Sequence, residues 1–246
     1  MNTYKTSEVA KIIGIHPNTV RLYEELGLIS KPERQINGYR VFTDFHIEQF
    51  KLARIALSIE VLQNGLRKKV VNIVKCSATG NFDRAIYLTY NYLQQIQDEQ
   101  NNAEEAIVSV TQLLYNNQEF NLLTLKRKEA AEYLHVSMDA LRNWEMNGLL
   151  TVKRRENGYR IYTDEDIKRL KIIRSLRCAN YSLEAILRML NALSHNPKIN
   201  IKKVLDTPKE SDNIISVCDK LITSLKDAEY NAQIMLLHIN RMKDKF

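Results

Sequence analysis

Two clusters of basic and aromatic side chains surround Asn-Gly pairs in this sequence of 246 residues. The clusters are Lys31, Arg34, Tyr39 and Arg40, and Lys153, Arg154, Arg155, Tyr159 and Arg160. Residues 1–80 carry 12 Lys and Arg against 7 Asp and Glu, and residues 121–206 carry 17 against 10. Residues 81–120 carry 1 against 6. Positive charge concentrated in two separate blocks favours a polyanionic partner, and nucleic acid is the first candidate.

Other kinds of site find little support in the residue pattern. Cys76, Cys178 and Cys218 lie far apart and no Cys-x-x-Cys occurs, so we predict no metal site. We expect Cys178 and Cys218 to be small buried side chains. The five histidines are scattered, and neither a Gly-rich phosphate loop nor a Ser/His/Asp arrangement is present. We therefore predict that the protein is not an enzyme and uses no cofactor.

Composition narrows the class of protein further. Hydrophobic residues make up 44% and charged residues 26%, which is typical of a folded globular chain. No apolar run reaches the roughly 18 residues of a membrane span, and residues 1–11 contain no apolar core of a signal peptide. Few and scattered cysteines fit a reducing compartment. We expect a cytoplasmic protein with no membrane partner.

The sequence contains an internal repeat. Eight residues between Thr3 and Leu28 recur 121 positions later, between Thr124 and Leu149. After a gap of one residue the match resumes at an offset of 120, and residues 34–54 then repeat at ten positions between Arg154 and Arg174. A one-residue gap in a turn is what two copies of one fold tolerate. The sequence therefore predicts a duplicated domain.

Each copy predicts the same order of elements. A short helix ends at Gly14, and a second helix begins at Pro17 and ends before Gly27; the second copy has Ser137 as the N-cap and Gly148 as the stop. Two short helices joined by a tight turn form a helix-turn-helix. Apolar runs around each Asn-Gly pair predict a β-hairpin, and two further helices follow it. A helix-turn-helix with a hairpin wing is typical of winged-helix DNA-binding domains.

In this plan the second helix, which we call the reading helix, presents its N-terminal residues to base edges in the major groove. The predicted reading residues are His16, Asn18 and Thr19 in the first copy, and Ser137, Asp139 and Asn143 in the second. Asn can pair with adenine, and Thr can contact the methyl group of thymine. Because the two sets differ, we expect an imperfect palindrome with distinct half-sites.

The residues also carry a family resemblance. The motif Val20-Arg21-Leu22-Tyr23-Glu24, followed by Gly27-Leu28-Ile29 and Asn37-Gly38-Tyr39-Arg40-Val41-Phe42, resembles the N-terminal domain of MerR-family bacterial transcription regulators. Residues 141–162 resemble it a second time. The resemblance covers about residues 1–75 and 122–194. It departs from the usual plan of that family, which has one such domain per chain and works as a homodimer.

The resemblance implies roles for further residues. Arg21 and Arg142 match a phosphate-contacting arginine, and the Tyr and Arg after each Asn-Gly pair are implied to hold phosphates. Tyr23 and Trp144 match a position that either packs in the core or touches the DNA backbone. The family plan implies binding to a promoter operator and its distortion, so that RNA polymerase meets repositioned promoter elements. A small-molecule effector is implied as an option only. The aromatic residues Phe82, Tyr87, Tyr90, Tyr92, Tyr115 and Tyr181 could line its pocket or simply pack.

Two long helices complete the prediction. Apolar residues recur in alternating steps of three and four at Leu93, Ile96, Ala103, Ile107, Val110 and Leu114, and the polar Gln100 occupies one position of this series. A second series is Ile214, Cys218, Leu221, Leu225, Ala228, Ala232, Met235, Ile239, Met242 and Phe246. This period is typical of a coiled-coil seam. Residues 207–210 supply an N-cap, a proline and a capping glutamate for the second helix.

The predicted fold class is mainly α, with two winged helix-turn-helix domains that are each followed by a long coiled-coil helix. The boundaries are 1–76 for the first domain, 81–118 for the first long helix, 122–206 for the second domain and 207–246 for the second long helix. The resemblance implies that such helices pair antiparallel, which would make a single chain a pseudo-dimer. An ordinary homodimer through the same seams is the alternative.

The predicted function is therefore sequence-specific binding of double-stranded DNA at a promoter operator. The alternative is a protein that sequesters small molecules on the same fold and has lost its affinity for DNA.

Overall fold

The computed structural model describes residues 2–58, 65–115, 124–154, 158–207 and 220–246. The described chain is mainly helical, as predicted. Its elements in chain order are β1 (Thr3–Tyr4), α1 (Thr6–Ile13), α2 (Pro17–Glu25), β2 (Glu33–Arg34), β3 (Arg40–Thr43), α3 (Asp44–Leu57), α4 (Leu66–Ala78), α5 (Phe82–Tyr115), α6 (Arg127–Tyr133), α7 (Met138–Met146), β4 (Lys153–Arg154), β5 (Arg160–Ile161), α8 (Asp164–Cys178), α9 (Leu183–His195), α10 (Ile201–Asp206) and α11 (Leu221–Lys245).

The chain divides into two compact units. The first consists of Met1–Asp98 together with Ser224–Phe246, and the second of Glu99–Thr223. Both boundaries fall inside long helices, so the units cut across the four segments proposed from the sequence. Each unit holds one winged helix-turn-helix and the C-terminal part of one long helix. Of the described helices, none is both long and apolar enough to cross a membrane.

In the first unit, α1 and α2 form the helix-turn-helix and three strands form the wing sheet. The sheet order is β1-β3-β2, and both pairs are antiparallel. The turn between the helices needs a left-handed residue, which Gly14 supplies with a φ of 71°. Val9, Val20, Phe42 and Phe50 are buried to 0% exposure. These side chains join the two helices, the wing and α3 in one core.

The second unit repeats this arrangement in α6, α7 and the β4–β5 hairpin. Leu125 forms an isolated antiparallel bridge with Tyr162, at the place that β1 occupies in the first unit. The left-handed position of the turn is held by His135, with a φ of 50°, where the first copy has Gly14. Leu134, Leu141 and Leu170 are almost completely buried. The fold therefore tolerates a non-glycine residue at this turn.

The predicted fourth helices correspond to α4 and α9. The sequence predicted them at about residues 63–75 and 182–193, whereas the structure has Leu66–Ala78 and Leu183–His195. Ser182 is the N-cap of α9, and its Oγ accepts a hydrogen bond from the amide of Ala185 at 3.0 Å. The predicted start of the first of these helices, at Gln63, lies outside the described residues.

The long helix α5 has a heptad seam, but the sequence placed half of it one residue too late. The buried positions are Ala85, Thr89, Tyr92, Ile96, Glu99, Ala103, Ala106 and Val110. Only Ile96, Ala103 and Val110 were predicted; Leu93, Gln100, Ile107 and Leu114 are partly exposed. The polar positions in the seam are therefore Thr89 and Glu99, and Glu99 Oε2 accepts a hydrogen bond from Asn180 Nδ2 at 3.0 Å. This correction leaves the seven-residue period unchanged.

The described part of α11 agrees with the predicted seam. Its predicted positions are all buried: Leu221, Leu225, Ala228, Ala232, Met235, Ile239 and Met242. Phe246, which follows the helix, is 43% exposed. The predicted N-cap at residues 207–210 and the seam positions Ile214 and Cys218 fall mostly or wholly outside the described residues.

In the first unit, the C-terminal part of α11 packs along α3. Asn231 Nδ2 donates to Ser58 Oγ at 2.7 Å, and His238 Nε2 lies 3.0 Å from the backbone oxygen of Glu48. The ring centroids of Phe246 and Phe45 are 4.9 Å apart. Since residue numbers rise along α11 as they fall along α3, the two helices run antiparallel.

In the second unit, α8 and the turn after it make a corresponding contact with the C-terminal part of α5. Lys168 Nζ donates to the backbone oxygen of Leu114 at 3.4 Å, and Tyr181 Oη donates to that of Ala103 at 3.5 Å. Lys168 corresponds to Glu48 in the repeat. Each winged domain thus holds the end of the long helix that follows the other domain in the sequence.

The cap of α3 differs in chemistry from the cap of α8. Thr43 starts α3, and its amide donates to Nδ1 of His46 at 3.1 Å. The His46 Nε2 atom lies 3.2 Å from Ser30 Oγ. The repeat has Asp166 in place of His46, and its Oδ2 accepts from the amide of Thr163 at 2.9 Å. Burial lowers the pKa of His46 below its ordinary value of 6.5, so the neutral ring is the one that caps the helix.

We predict that acidification destabilises the first unit through His46. Because the folded-state pKa of His46 is lowered, its stabilising effect is present above pH 6.5 and is lost as the pH falls through the folded pKa. A loss of about 1 kcal/mol is expected, which is the size of a capping interaction. Urea unfolding at pH 7 and pH 5 measures it, with His46→Asp, the residue of the second copy, as the control. An equal pH dependence in wild type and variant would contradict the prediction.

Candidate nucleic-acid interface

The first reading helix, α2, begins with a histidine cap. The Nδ1 atom of His16 accepts a hydrogen bond from the amide of Asn18 at 3.2 Å, which leaves Nε2 as the outward-facing nitrogen. Asn18 is exposed and Thr19 is half-buried. Arg21 is exposed, and its Nη1 donates to Asn18 Oδ1 at 3.4 Å. The sequence-predicted reading residues of this copy therefore share one polar, accessible end of the helix.

The first wing extends from this helix as an exposed hairpin. Its turn is closed by the amide of Gly38, which donates to the backbone oxygen of Gln35 at 2.8 Å. Gly38 adopts a φ of 81°, which an L-residue rarely takes, so the Asn-Gly pair has a clear role here. Lys31 and Arg34 are exposed, and Tyr39 is 71% exposed. All three side chains are accessible to a polyanion, although Arg34 also lies 3.9 Å from Glu24 Oε1.

The second reading helix, α7, is capped by serine. Ser137 Oγ accepts from the amide of Ala140 at 3.0 Å. Asp139, Arg142 and Asn143 are exposed, and Met138 at the first helical position is 51% exposed. The start of the second reading helix thus carries a negative charge that the first lacks, because Asp139 replaces Asn18.

The second wing carries the denser positive charge. Lys153 and Arg154 are exposed in β4, and Tyr159 is 70% exposed. Arg155 and Asn157, which were predicted for the same wing, lie outside the described residues. Among the described residues Arg154 forms no ion pair, so its guanidinium is available to an external anion.

Two aromatic positions of the family motif belong to the core. Tyr23 is 6% exposed, and its ring stacks on Phe50 with centroids 5.6 Å apart. Trp144 in the second copy is also 6% exposed. Of the two roles that the resemblance left open for Tyr23, its placement favours packing over DNA contact. The sequence signal was the apolar spacing with Val20, which put the ring on the buried face of α2.

Arg40 and Arg160 were predicted to hold phosphates, yet each is engaged inside the protein. Arg40 Nε is hydrogen-bonded to Glu24, and Arg160 Nε lies 2.6 Å from Glu145 Oε2. Both arginine side chains are less than 30% exposed. The role of these two glutamates was not predicted from the residue pattern, although Glu24 and Arg40 recur in the repeat as Glu145 and Arg160. Each copy of this basic region retains a glutamate at the same position, Glu24 or Glu145, and that recurrence could have indicated an internal partner for the arginine.

The second glutamate has two further donors. Tyr162 Oη donates to Glu145 Oε1 at 2.6 Å, and Arg127 Nη2 lies 3.2 Å from Oε2. Burial, and then the hydrogen bond to Glu145, raise the pKa of the Tyr162 hydroxyl. The hydroxyl therefore remains protonated and donates at neutral pH. The hydrogen bond with Tyr162 is also the first cause that raises the pKa of Arg127.

The remaining candidate side chains do not assemble into a site. Within the described residues, no three His, Cys, Asp or Glu side chains come together as metal ligands. The expectation that Cys178 is buried was wrong. Cys178 is the last residue of α8, and its side chain is exposed there. Tyr87, Tyr90 and Tyr115 are more than half exposed, whereas Tyr92 and Tyr181 are buried. The aromatic set therefore does not share one environment.

We predict that Tyr23 and Tyr39 differ sharply in their effect on stability. Tyr23→Ala removes a buried stacked ring and should lower the free energy of unfolding by about 3–5 kcal/mol. Tyr39→Ala removes an exposed ring and should change it by less than about 0.5 kcal/mol. Urea unfolding followed by circular dichroism measures both. Similar small losses for the two variants would argue against a core role for Tyr23.

Comparison with known families and proteins gives a consistent result. Residues 5–42 match the family described as "MerR family regulatory protein". Residues 125–193 match the family described as "MerR HTH family regulatory protein". The HTH-type transcriptional regulator CueR of Escherichia coli O6:H1 is 43% identical over 53 residues, which are 22% of this chain and 39% of CueR. The corresponding regulator ZntR of Escherichia coli K12 is 38% identical over 64 residues, or 26% of this chain and 45% of ZntR.

A further relative and one solved structure are also similar to part of the chain. A probable heavy metal-dependent transcriptional regulator of Haemophilus influenzae is 38% identical over 77 residues, and the chain spans 59% of its length. The solved structure is that of HiNmlR, a MerR family regulator lacking the sensor domain, bound to promoter DNA. It is 24% identical to this chain, the match covers 50% of this chain and 80% of HiNmlR, and the TM-score is 0.29. That score is too low to support an inference. The matches at residues 5–42 and 125–193 agree with the repeat, so two separate parts of the chain are similar to MerR-family regulators.

Proposed function

We propose that the protein is a MerR-type transcription regulator that binds double-stranded promoter DNA with sequence specificity. The observation that carries the proposal is the same exposed surface in both units. Each unit has exposed polar residues at the start of a reading helix and an exposed wing with Lys, Arg and Tyr side chains. Wing cations can hold phosphates, and reading-helix side chains can then meet base edges. The relatives CueR and ZntR, named as transcriptional regulators, support this assignment.

The proposed operator is an imperfect palindrome that the protein distorts. Two winged domains that grip its two ends could bend or untwist the spacer and reposition the promoter elements that RNA polymerase reads. Deformation of a site of this kind costs about 1–6 kcal/mol, which the contacts at both ends would have to offset. A small-molecule effector would act on this equilibrium.

We also propose that one chain does the work of a dimer. The support comes from the crossed packing inside each unit. Residues 224–246 of the second long helix pack on the first winged domain, and residues 99–115 of the first long helix pack on the second. In addition, Lys243 near the end of α11 forms an ion pair with Asp83 at the start of α5. An antiparallel pair of long helices from a single chain accounts for these contacts.

The two half-sites should be read differently. His16, Asn18 and Thr19 can donate to or accept from several bases, whereas Asp139 prefers a donor such as the amino group of cytosine. The second wing has Lys153, Arg154 and Arg155 in succession where the first has Glu33, Arg34 and Gln35. The second domain should therefore supply more of the salt-dependent affinity, and the first more of the base discrimination.

We predict that variants of the two domains weaken DNA binding in different ways. Arg154→Ala with Arg155→Ala should weaken binding to all sequences and reduce the slope of log K against log salt by about 1 for each lost phosphate contact. Asn18→Ala should cost about 1–3 kcal/mol at one half-site only. Fluorescence anisotropy over a salt series, on an operator selected from genomic fragments and on its two symmetrised versions, measures both effects.

Two outcomes would count against this function. If the wild type prefers no sequence at any salt concentration, the regulator is excluded and the ligand-sequestering alternative becomes the better account. If the operator and both symmetrised versions bind equally, the two domains read alike and the asymmetry is wrong.

We predict a monomer in solution. Light scattering at micromolar concentration should give a mass near 28.7 kDa, the mass of one chain. A stable species of twice that mass would replace the pseudo-dimer with a homodimer of tandem domains. Leu225→Glu tests the seam, since a buried charge there should unfold a monomer but dissociate a dimer first.

A further inference from the structure

Each reading helix ends in a buried carboxylate that holds the wing. Glu24 lies in the last turn of α2 and Glu145 in the last turn of α7, and their side chains are 9% and 11% exposed. An acid near the C-terminus of a helix faces the negative end of the helix dipole, and a buried carboxylate needs charged partners. The nearest partners are Arg40 and Arg160, each at the first residue of the wing's return strand. These ion pairs tie the hairpin to the helix.

The carboxylate of Glu145 has three partners, and none of them lies in the outer strand of the second wing. Besides Arg160, Glu145 accepts from Tyr162 Oη at 2.6 Å and from Arg127 Nη2 at 3.2 Å. Arg127 belongs to the first helix of the domain and Tyr162 follows the return strand. The Arg154 side chain in the outer strand forms no ion pair with any of the described residues and is exposed.

The first carboxylate lacks both of these donors. In the repeat, Phe42 replaces Tyr162 and has no hydroxyl, and Thr6 replaces Arg127 and has no charge. The additional contact comes from the outer strand instead. Arg34 Nη2 lies 3.9 Å from Glu24 Oε1, and Arg34 Nη1 donates to the backbone oxygen of Gly38 at 3.4 Å. Arg34 corresponds to Arg154 in the repeat.

We propose that Glu24 and Glu145 are positioning residues for the two wings, and that Arg34 serves both Glu24 and the DNA backbone whereas Arg154 serves the DNA backbone alone. The second part rests on the proposed function. The Arg34–Glu24 contact is long and the Arg34 side chain is 48% exposed, so a DNA phosphate can displace Glu24 at little cost. The first wing is then held loosely in free protein and adapts on binding, while the second wing is preformed.

The repeat supplies matched variants for a test on the free protein. In hydrogen–deuterium exchange, Arg34→Ala should speed amide exchange of residues 33–41 by roughly two- to fivefold, because a half-exposed ion pair is lost. Arg154→Ala, the matched control, should leave exchange of the corresponding described residues, 153–154 and 158–161, unchanged. Loosening in both variants, or in neither, would overturn the division of roles.

Rescue separates positioning from DNA contact. Phe42→Tyr introduces the hydroxyl that the second copy already uses, so Phe42→Tyr with Arg34→Ala should restore slow exchange in the first wing. The same double variant should still bind the operator as weakly as Arg34→Ala, because the phosphate contact is not restored. Recovery of DNA affinity along with wing protection would mean that Arg34 acts only by positioning and would overturn its dual role.

The glutamates are tested by removing their charge. Glu24→Gln and Glu145→Gln should each speed exchange in their own wing and leave the other wing unchanged; no effect on either wing would sink the positioning role. The exchange data are obtained without DNA, so they stand even if the wild type binds no DNA. In that case the proposed function fails while the positioning role of the glutamates is judged separately.

Discussion

The geometry of each candidate DNA surface depends on one buried ion pair between a reading helix and its wing. The helix exposes polar residues at its start and buries a carboxylate in its last turn, where that carboxylate is destabilising unless it pairs with a guanidinium. Arg40 and Arg160 meet it from the return strand of the hairpin. The same contact therefore fixes the wing relative to the helix and leaves the outer wing cations exposed.

Much of the fold followed from the repeat, because a turn glycine, an N-cap and an Asn-Gly pair act through local backbone geometry. The seam of α5 was harder to predict, since two columns of the helix are nearly equally apolar. Leu93 and Ile107 suggested one column, but Tyr92 and Ala106 occupy the buried one. Glu99 enters the seam because Asn180, 81 residues away, donates a hydrogen bond to it. A tertiary partner of this kind is not visible in local periodicity.

In the candidate site, too, local features could be predicted from the sequence and tertiary partners could not. Exposure of His16, Asn18, Lys31 and Arg34 follows from the helix and hairpin periods, so the sequence was sufficient for these residues. The engagement of Arg40 and Arg160 was not predictable from type or spacing, because an arginine on a basic wing has the same pattern whether it meets a phosphate or a glutamate. Only the distance to Glu24 or Glu145 distinguishes the two roles. Exposed cations could thus be predicted, but their internal partners could not.

Duplication within one chain lets equivalent positions change separately, which identical subunits of a homodimer cannot do. The caps His46 and Asp166 satisfy the same backbone amide with groups of different charge. Phe42 and Tyr162 also differ, and here the difference reaches the wing. Phe42 has no hydroxyl, so Glu24 lacks the donor that Tyr162 gives to Glu145. Arg34 then approaches this carboxylate from the outer strand. The two copies thus differ both in a core residue and in the ion pairing of an outer-strand arginine, so the asymmetry of the two wings extends beyond their outward-facing residues.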